Sequence, residues 1–241
     1  MPDFMELLPM IALILAIGAI AGIIAGLLGV GGGIILVPAF FFVFQGLGYN
    51  TPDLMRICLA TSLATIIVTS TRSVLAHHKK GAVDWAILRG WGAFIAVGAG
   101  LGVIATMGLS GDALMMIFGG LGVSIGIYLA FGRPEWRLGD TMPTGIGRAI
   151  TAPVIGFLSV LMGIGGGSFG VPLMTLYGVP IHRAVATAAG FGVIIAVPSV
   201  MGFLLATNTG PNRPPFMIGD VNVVAFATVV AMTLITTPLG V

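Results

Sequence analysis

Charge is what this sequence has least of. Ten Lys and Arg and eight Asp and Glu make up only 7% of its 241 residues, against about 25% in a soluble domain. So few charges cannot cover a water-facing surface of this size, which excludes an ordinary soluble enzyme. The single cysteine, Cys58, excludes a disulfide scaffold. Three histidines are present, and none has Cys, Asp or Glu at ligand spacing, so no metal site is expected. The chain also lacks a carboxylate pair, a nucleophile beside a base and a basic-aromatic face. Enzymatic chemistry, a cofactor and a nucleic-acid partner are therefore not expected.

What is there is apolar sequence. Hydrophobic residues make up 57% of the chain and the mean hydropathy is +1.13. A spanning helix needs about 20 largely apolar residues. Segments 7–28, 54–76, 84–107, 112–132, 183–207 and 218–241 meet that length, and 146–162 does so with tilt. Two further runs, 34–45 and 168–177, are shorter, and each follows a glycine cluster directly. The first segment is no secretory signal, because Asp3 and Glu6 stand where a positive region belongs. The expected class is an all-α polytopic membrane protein with the lipid bilayer as its surroundings.

The polar stretch 133–148 divides two halves that resemble each other. GVGGGIILVPAF (29–40) aligns with GIGGGSFGVPLM (163–174), CLATS (58–62) with AVATA (184–188), GAVDW (81–85) with GDVNV (219–223), and GAGLGV (98–103) with TTPLGV (236–241). Four matches in order predict an internal duplication: a first repeat at 1–132, a linker at 133–148 and a second repeat at 149–241. Repeats of this kind are a transporter signature. The second repeat stops at the residue equivalent to Val103, one helix short of the first. With five apolar segments per half the repeats are inverted. Arg72, Lys79, Lys80, Arg89, Arg133, Arg137, Arg148 and Arg183 then share one side, leaving Arg56 and Arg213 on the other. The positive-inside bias places the linker in the cytoplasm and the N-terminus outside. In the competing model the two short segments re-enter, which gives parallel repeats and an inside N-terminus.

Each glycine cluster predicts a broken helix, because glycine is poor in a helix interior and adopts positive φ readily. Pro38 and Pro172 follow at equivalent places and mark a helix break and a short helix beyond it. Irregular backbone survives within a bilayer only against protein or a water-filled cavity. A helix that starts there turns its free N–H groups and positive dipole end toward the cavity, which suits an anion. The competing explanation is close packing of helices through small residues. No Lys-Ser/Thr follows either cluster, so a nucleotide loop is excluded.

GLLGVGGGIILVP, the later GIGGGSFGVP and the paired ATS and ATA helices resemble the sulfite exporter TauE/SafE family, also called the domain of unknown function 81 family. The resemblance runs over about residues 10–241. It implies an integral membrane permease that exports sulfite, sulfoacetate or a related sulfur-containing anion, in a bacterial inner (plasma) membrane. The family pattern continues past TTPLGV with another helix, in agreement with the shortfall found from the repeat.

Within the spans, Thr61, Thr65 and Thr69 share one helix face, Arg72 follows on about the same face, and Thr187 is the repeat partner of Thr61. The expected substrate site is formed by backbone at Gly31, Gly32, Gly33, Gly165, Gly166 and Gly167, with Thr61, Thr187, Ser168, Thr65 and Arg72 around it. Against this, threonines bond back to their own helix, and Arg72 is near enough to Lys79 and Lys80 to reach the membrane surface. Asp84 and Asn222 are repeat equivalents and read as helix caps. With no ATP motif, energy comes from a coupling ion such as H+ or Na+, or from an anion gradient. The expected function is secondary transport by alternating access. A passive anion channel and a non-transporting scaffold are the alternatives.

Overall fold

In the computed structural model five of the eight helices named below begin or end at a glycine. The structure describes residues 15–16, 18–20, 32–132, 136–207 and 210–236; residues 15–16 and 18–20 are helical. Eight helices follow in the described residues: α1 (Gly33–Gly46), α2 (Leu54–Lys79), α3 (Trp85–Gly108), α4 (Gly111–Phe131), α5 (Gly145–Leu161), α6 (Gly167–Leu176), α7 (Ile181–Leu204) and α8 (Val223–Thr236). Of these, α2, α3, α4 and α7 are long and apolar enough to cross a membrane. The architecture is that of an all-helical membrane protein.

Two expected spans need correction. Residues 146–162 do not cross: after α5 the chain turns inside the molecule, and α6 comes back to the linker end, where the Leu138 N–H meets the Leu176 carbonyl. Residues 218–241 do not start as helix. Met217–Ile218 (β1) and Val221–Asn222 (β2) pair as a small antiparallel hairpin, and α8 begins only at Val223. The cause is local: Gly219 sits at φ 56, and the Asp220 N–H bonds back to the Phe203 carbonyl at 3.0 Å. The positive φ is incompatible with a helical turn, and the bond to Phe203 holds the bend in place. The tail of that span, 237–241, lies outside the described residues, as does most of segment 7–28. Side chains fix the helix starts. Asp84 Oδ1 accepts from the Ala86 and Ile87 amides, both at 3.1 Å, Asn222 Oδ1 from Ala225 at 2.9 Å, and Ser110 Oγ from Ala113 at 3.2 Å.

Helices in lipid gain nothing from hiding apolar surface from each other, so they associate where small residues allow close contact. The α3–α5 pair illustrates this. A Cβ added at Gly98 would strike the Pro153 carbonyl oxygen, one at Gly156 the Ile95 carbonyl oxygen, and one at Gly102 would come within 2.8 Å of Val160. Arg148 lies over the Phe94 ring at 5.4 Å near the start of both helices, so α3 and α5 run side by side in one direction. At the centre α2 and α7 cross, with Gly192 against Ser70 and Ile66. Their apolar windows are 78% and 67% buried, against 11% for α4, which is an outlying helix. One core cluster surrounds Leu63, Trp91, Ile95 and Phe191, and a second surrounds Leu36, Phe40, Leu59 and Val229. Gly18, in the first segment, rests against Val229 and Met232 of α8.

The loops gather at two ends. At the linker end, the Leu138 N–H donates to the Leu176 carbonyl at 2.8 Å, and Gly178 lies against Asp140. Helix α6 thus returns to the end from which α5 departs. Ten residues at 1.5 Å each make α6 about 15 Å long, half of a hydrocarbon core of about 30 Å. The turn between α5 and α6 is therefore internal. Helix α1, about 21 Å long by the same rule, starts beside that turn and ends near Tyr49 at the opposite end.

Candidate functional site: the junction of two helix breaks

The two breaks meet. Gly32 caps α1 in the left-handed region at φ 76, which a side chain would resist. In the other break the Met162 and Gly163 amides close the end of α5 on the Leu158 and Val160 carbonyls, and Gly163 turns the chain at φ 59. A Cβ at Gly33 would strike the Gly163 carbonyl oxygen and come within 2.8 Å of Ile164 Cα. A Cβ at Gly163 would be 2.9 Å from Leu59 Cα, and one at Gly166 would strike Phe191. Glycine here serves both readings of the sequence: it breaks the helices and lets the breaks touch.

Amides with no backbone partner among the described residues collect at the junction. The Gly170 N–H, donating to Gly166 at 2.7 Å, is the earliest in α6 to bond back. The amides of Gly167, Ser168 and Phe169 precede it and point back along the axis toward the break. In α1 the Ile35 and Leu36 amides both reach the Gly32 carbonyl at 3.1 Å, with those of Gly33 and Ile34 ahead of them. Two positive helix ends thus converge, and α1 and α6 leave for opposite ends of the molecule. Buried hydroxyls stand close in sequence or contact. Ser62 Oγ donates to the Gly163 carbonyl at 2.7 Å, Ser168 follows Gly167 directly, and Ser159 Oγ, just before the turn, is buried without a hydrogen-bond partner.

Not every expected site residue is at the junction. Gly32, Gly33, Gly165, Gly166, Gly167 and Ser168 are in the two breaks and buried, while Gly31 lies outside the described residues. Thr61 and Thr187 point to other tasks. Thr61 Oγ1 accepts the Asn222 amide at 3.0 Å, and Thr187 Oγ1 accepts the Asp84 amide at 2.9 Å. These are crossed bonds of one form, from α2 to the start of α8 and from α7 to the start of α3. Thr65 bonds back to the Ser62 carbonyl at 2.7 Å. Arg72, ten residues beyond Ser62, reaches the Leu234 carbonyl at 3.3 Å on the exposed side of α2. Pro38 and Pro172 lie inside α1 and α6, five residues after each helix begins. The breaks are at glycine, because it is the turn before each helix that needs unusual backbone.

Sequence reasoning missed an ionic cluster at the end opposite the linker. Arg56 Nε is 2.8 Å from Asp220 Oδ2 and Arg56 Nη2 is 3.3 Å from Asp53 Oδ2. Arg213 bridges the same two acids, at 2.5 Å from Asp220 and 3.1 Å from Asp53. The Thr51 hydroxyl also donates to Asp53. The Asp220 side chain is fully buried, and the two arginines are only 11% exposed. The available signal was charge balance: Arg56 and Arg213 are the two cations left at that end, and each lies near an acid, Asp53 or Asp220.

Comparison with known proteins agrees with this architecture. A family model described as "Sulfite exporter TauE/SafE" matches residues 14–241. A "Probable membrane transporter protein" of Haemophilus influenzae is 29% identical over 95% of this chain and 87% of its own length. Relatives described in the same words from Methanocaldococcus jannaschii (28% identical, 86% of this chain and 76% of the relative) and Bacillus subtilis (32%, 73% and 71%) are also similar. No solved structure matches.

Proposed function

The chain belongs to the sulfite exporter TauE/SafE family, a membrane transporter family, and on that premise we propose that it is a secondary carrier of small sulfur-containing anions, sulfite or an organosulfonate. The observation that carries this reading is the junction, where α1 and α6 start together and run to opposite ends. Sulfite and sulfonates present several charged oxygens in a compact head. Amide donors at a helix start suit such a head without a fixed counter-charge. Ser168 adds a hydroxyl donor, and Ser62, whose hydroxyl donates to the Gly163 carbonyl, holds the break in place. Thr61 and Thr187 act on the substrate only indirectly, by fixing where α8 and α3 begin.

Two inverted repeats, 1–132 and 149–241, joined by the linker 133–148, underlie the arrangement. The crossed threonine bonds support this, as do the capping pair Asp84 and Asn222 and the positive φ at both Gly81 and Gly219. The opposed courses of α1 and α6 do so as well. The linker end carries Lys79, Lys80, Arg137, Arg148 and Arg183 and faces the cytoplasm, with the N-terminus outside. Transport proceeds by rocking of one repeat against the other, coupled to H+, Na+ or an anion gradient across a bacterial inner membrane.

A binding screen on purified protein tests the site. Sulfite and sulfoacetate are expected to bind saturably, and chloride weakly. Ser168→Val is expected to weaken binding about tenfold, the worth of one hydrogen bond to a charged group. Absence of binding by every sulfur anion would favour the scaffold. Unchanged affinity in both Ser168→Val and Ser62→Ala would move the site away from the junction.

A further inference from the structure

Segment 210–222, between α7 and α8, lies across the end of the molecule opposite the linker. We infer that it is a strap that gates that end, held shut by the Asp53–Arg56–Arg213–Asp220 cluster. The inference rests on the transporter reading for its purpose, but not for its geometry.

Three fastenings of the strap reach out to the end of α1 and the start of α2. Asn212 Nδ2 donates to the Gly48 carbonyl at 3.1 Å, Arg213 reaches Asp53 beside α2, and Asp220 takes Arg56 from the first turn of α2. The strap contains Pro211, Pro214 and Pro215, which limit its shapes. It holds two non-glycine residues in the left-handed region, Asn212 at φ 60 and Phe216 at φ 59. For a bulky residue such as Phe216 this is a sparsely populated conformation, kept only where surroundings impose it. Here the Val223 amide donates to the Phe216 carbonyl at 3.0 Å, and Asn222 Nδ2 to the Pro215 carbonyl at 2.9 Å. A segment so constrained moves as a unit when its fastenings part.

Two surface clefts border the strap. A cavity of about 350 Å³ is lined by Gly210 and Pro211 of the strap together with Thr51, Arg56 and Ser110. An adjoining one of about 390 Å³ shares Thr51, Pro52, Ser110 and Gly111 and extends to Met55 and Gln45 at the end of α1. Helix α1 leads from there to the junction. The cluster is a fastening suited to release, since two guanidinium groups share one carboxylate oxygen, Asp53 Oδ2. That oxygen can be yielded by either arginine without leaving the acid unpaired.

The test measures exposure of Met55, which is 4% exposed. Cys58 is the sole cysteine, so Cys58→Ala with Met55→Cys yields a single reporter thiol. Its labelling by a charged maleimide is expected to be slow, and Arg213→Ala is expected to speed it at least tenfold. Asp53→Asn, which preserves volume, is expected to act in the same direction, and it serves if Arg213→Ala does not fold. Equal labelling rates in the parent and Asp53→Asn would overturn the gate. A second arm, in the Cys58→Ala background, ties Asp53→Cys to Arg213→Cys with a short bis-methanethiosulfonate and measures flux of sulfoacetate, which unlike sulfite does not cleave disulfides, before and after reduction. Loss of flux that returns on reduction supports the gate, and undiminished flux in the tied protein overturns it while leaving the carrier reading intact. Faster labelling together with no flux of any sulfur anion would instead sink the carrier reading and leave the strap standing.

Discussion

The two ends of the molecule use one bonding pattern in two settings. At each end a threonine from a central helix accepts a backbone amide at the start of a neighbour, Thr61 from Asn222 and Thr187 from Asp84. At each end an arginine near the start of that central helix meets an aspartate near the same neighbour, Arg56 with Asp220 and Arg183 with Asp84. The difference is water. Arg56 is 11% exposed and Asp220 fully buried, whereas Arg183 and Asp84 are 52% and 22% exposed. One end holds a desolvated network of four charges, and the equivalent pair at the other end is wet. Equal connectivity therefore does not mean equal strength: solvent decides what each pair contributes.

That comparison can be broken in three ways, taken from the largest expected effect. Asp220→Ala leaves Arg56 and Arg213 short of a partner where water cannot replace it. It is expected to destabilise by about 3–5 kcal/mol, read as a lower unfolding midpoint in detergent. A shift as small as that of a surface pair would mean that the cluster is solvated. Thr61→Val orphans a buried amide and is expected to cost about 1–3 kcal/mol. Thr187→Val frees an amide that is only part-buried and is expected to cost less, and equal losses would mean that solvent does not separate the two ends. Arg183→Ala removes an exposed pair and is expected to change stability by no more than about 1 kcal/mol. That small effect is expected to fade further in high salt, where exposed charges are screened.

How far the sequence carries depends on what each feature needs. Helices α2, α3, α4 and α7 declare themselves through unbroken apolar runs, because a bilayer demands length. The short helices α1 and α6 are legible from the glycines ahead of them, and α6 through its mere ten residues. The cap roles of Asp84 and Asn222 follow from residue type and position. The β1–β2 hairpin is hidden, since Met217 to Asn222 runs straight into apolar sequence and only a positive φ at Gly219 reveals the turn. The crossed threonine bonds are half legible: Thr61, Thr187, Asp84 and Asn222 all stand out, but not that the first two serve the last two. The ionic cluster is hidden for a different reason. Arg56 and Asp220 are 164 residues apart, and no local periodicity records such a meeting.

The central claim, a carrier whose site is the junction of two helix breaks, meets its most direct test in counterflow. Proteoliposomes preloaded with unlabelled sulfite would be given labelled sulfite outside. The account predicts saturable uptake that is accelerated by internal sulfite and lost in Gly166→Leu, whose side chain has no room beside Phe191. Uptake that rises linearly with concentration and ignores internal sulfite would contradict it and indicate a passive pore.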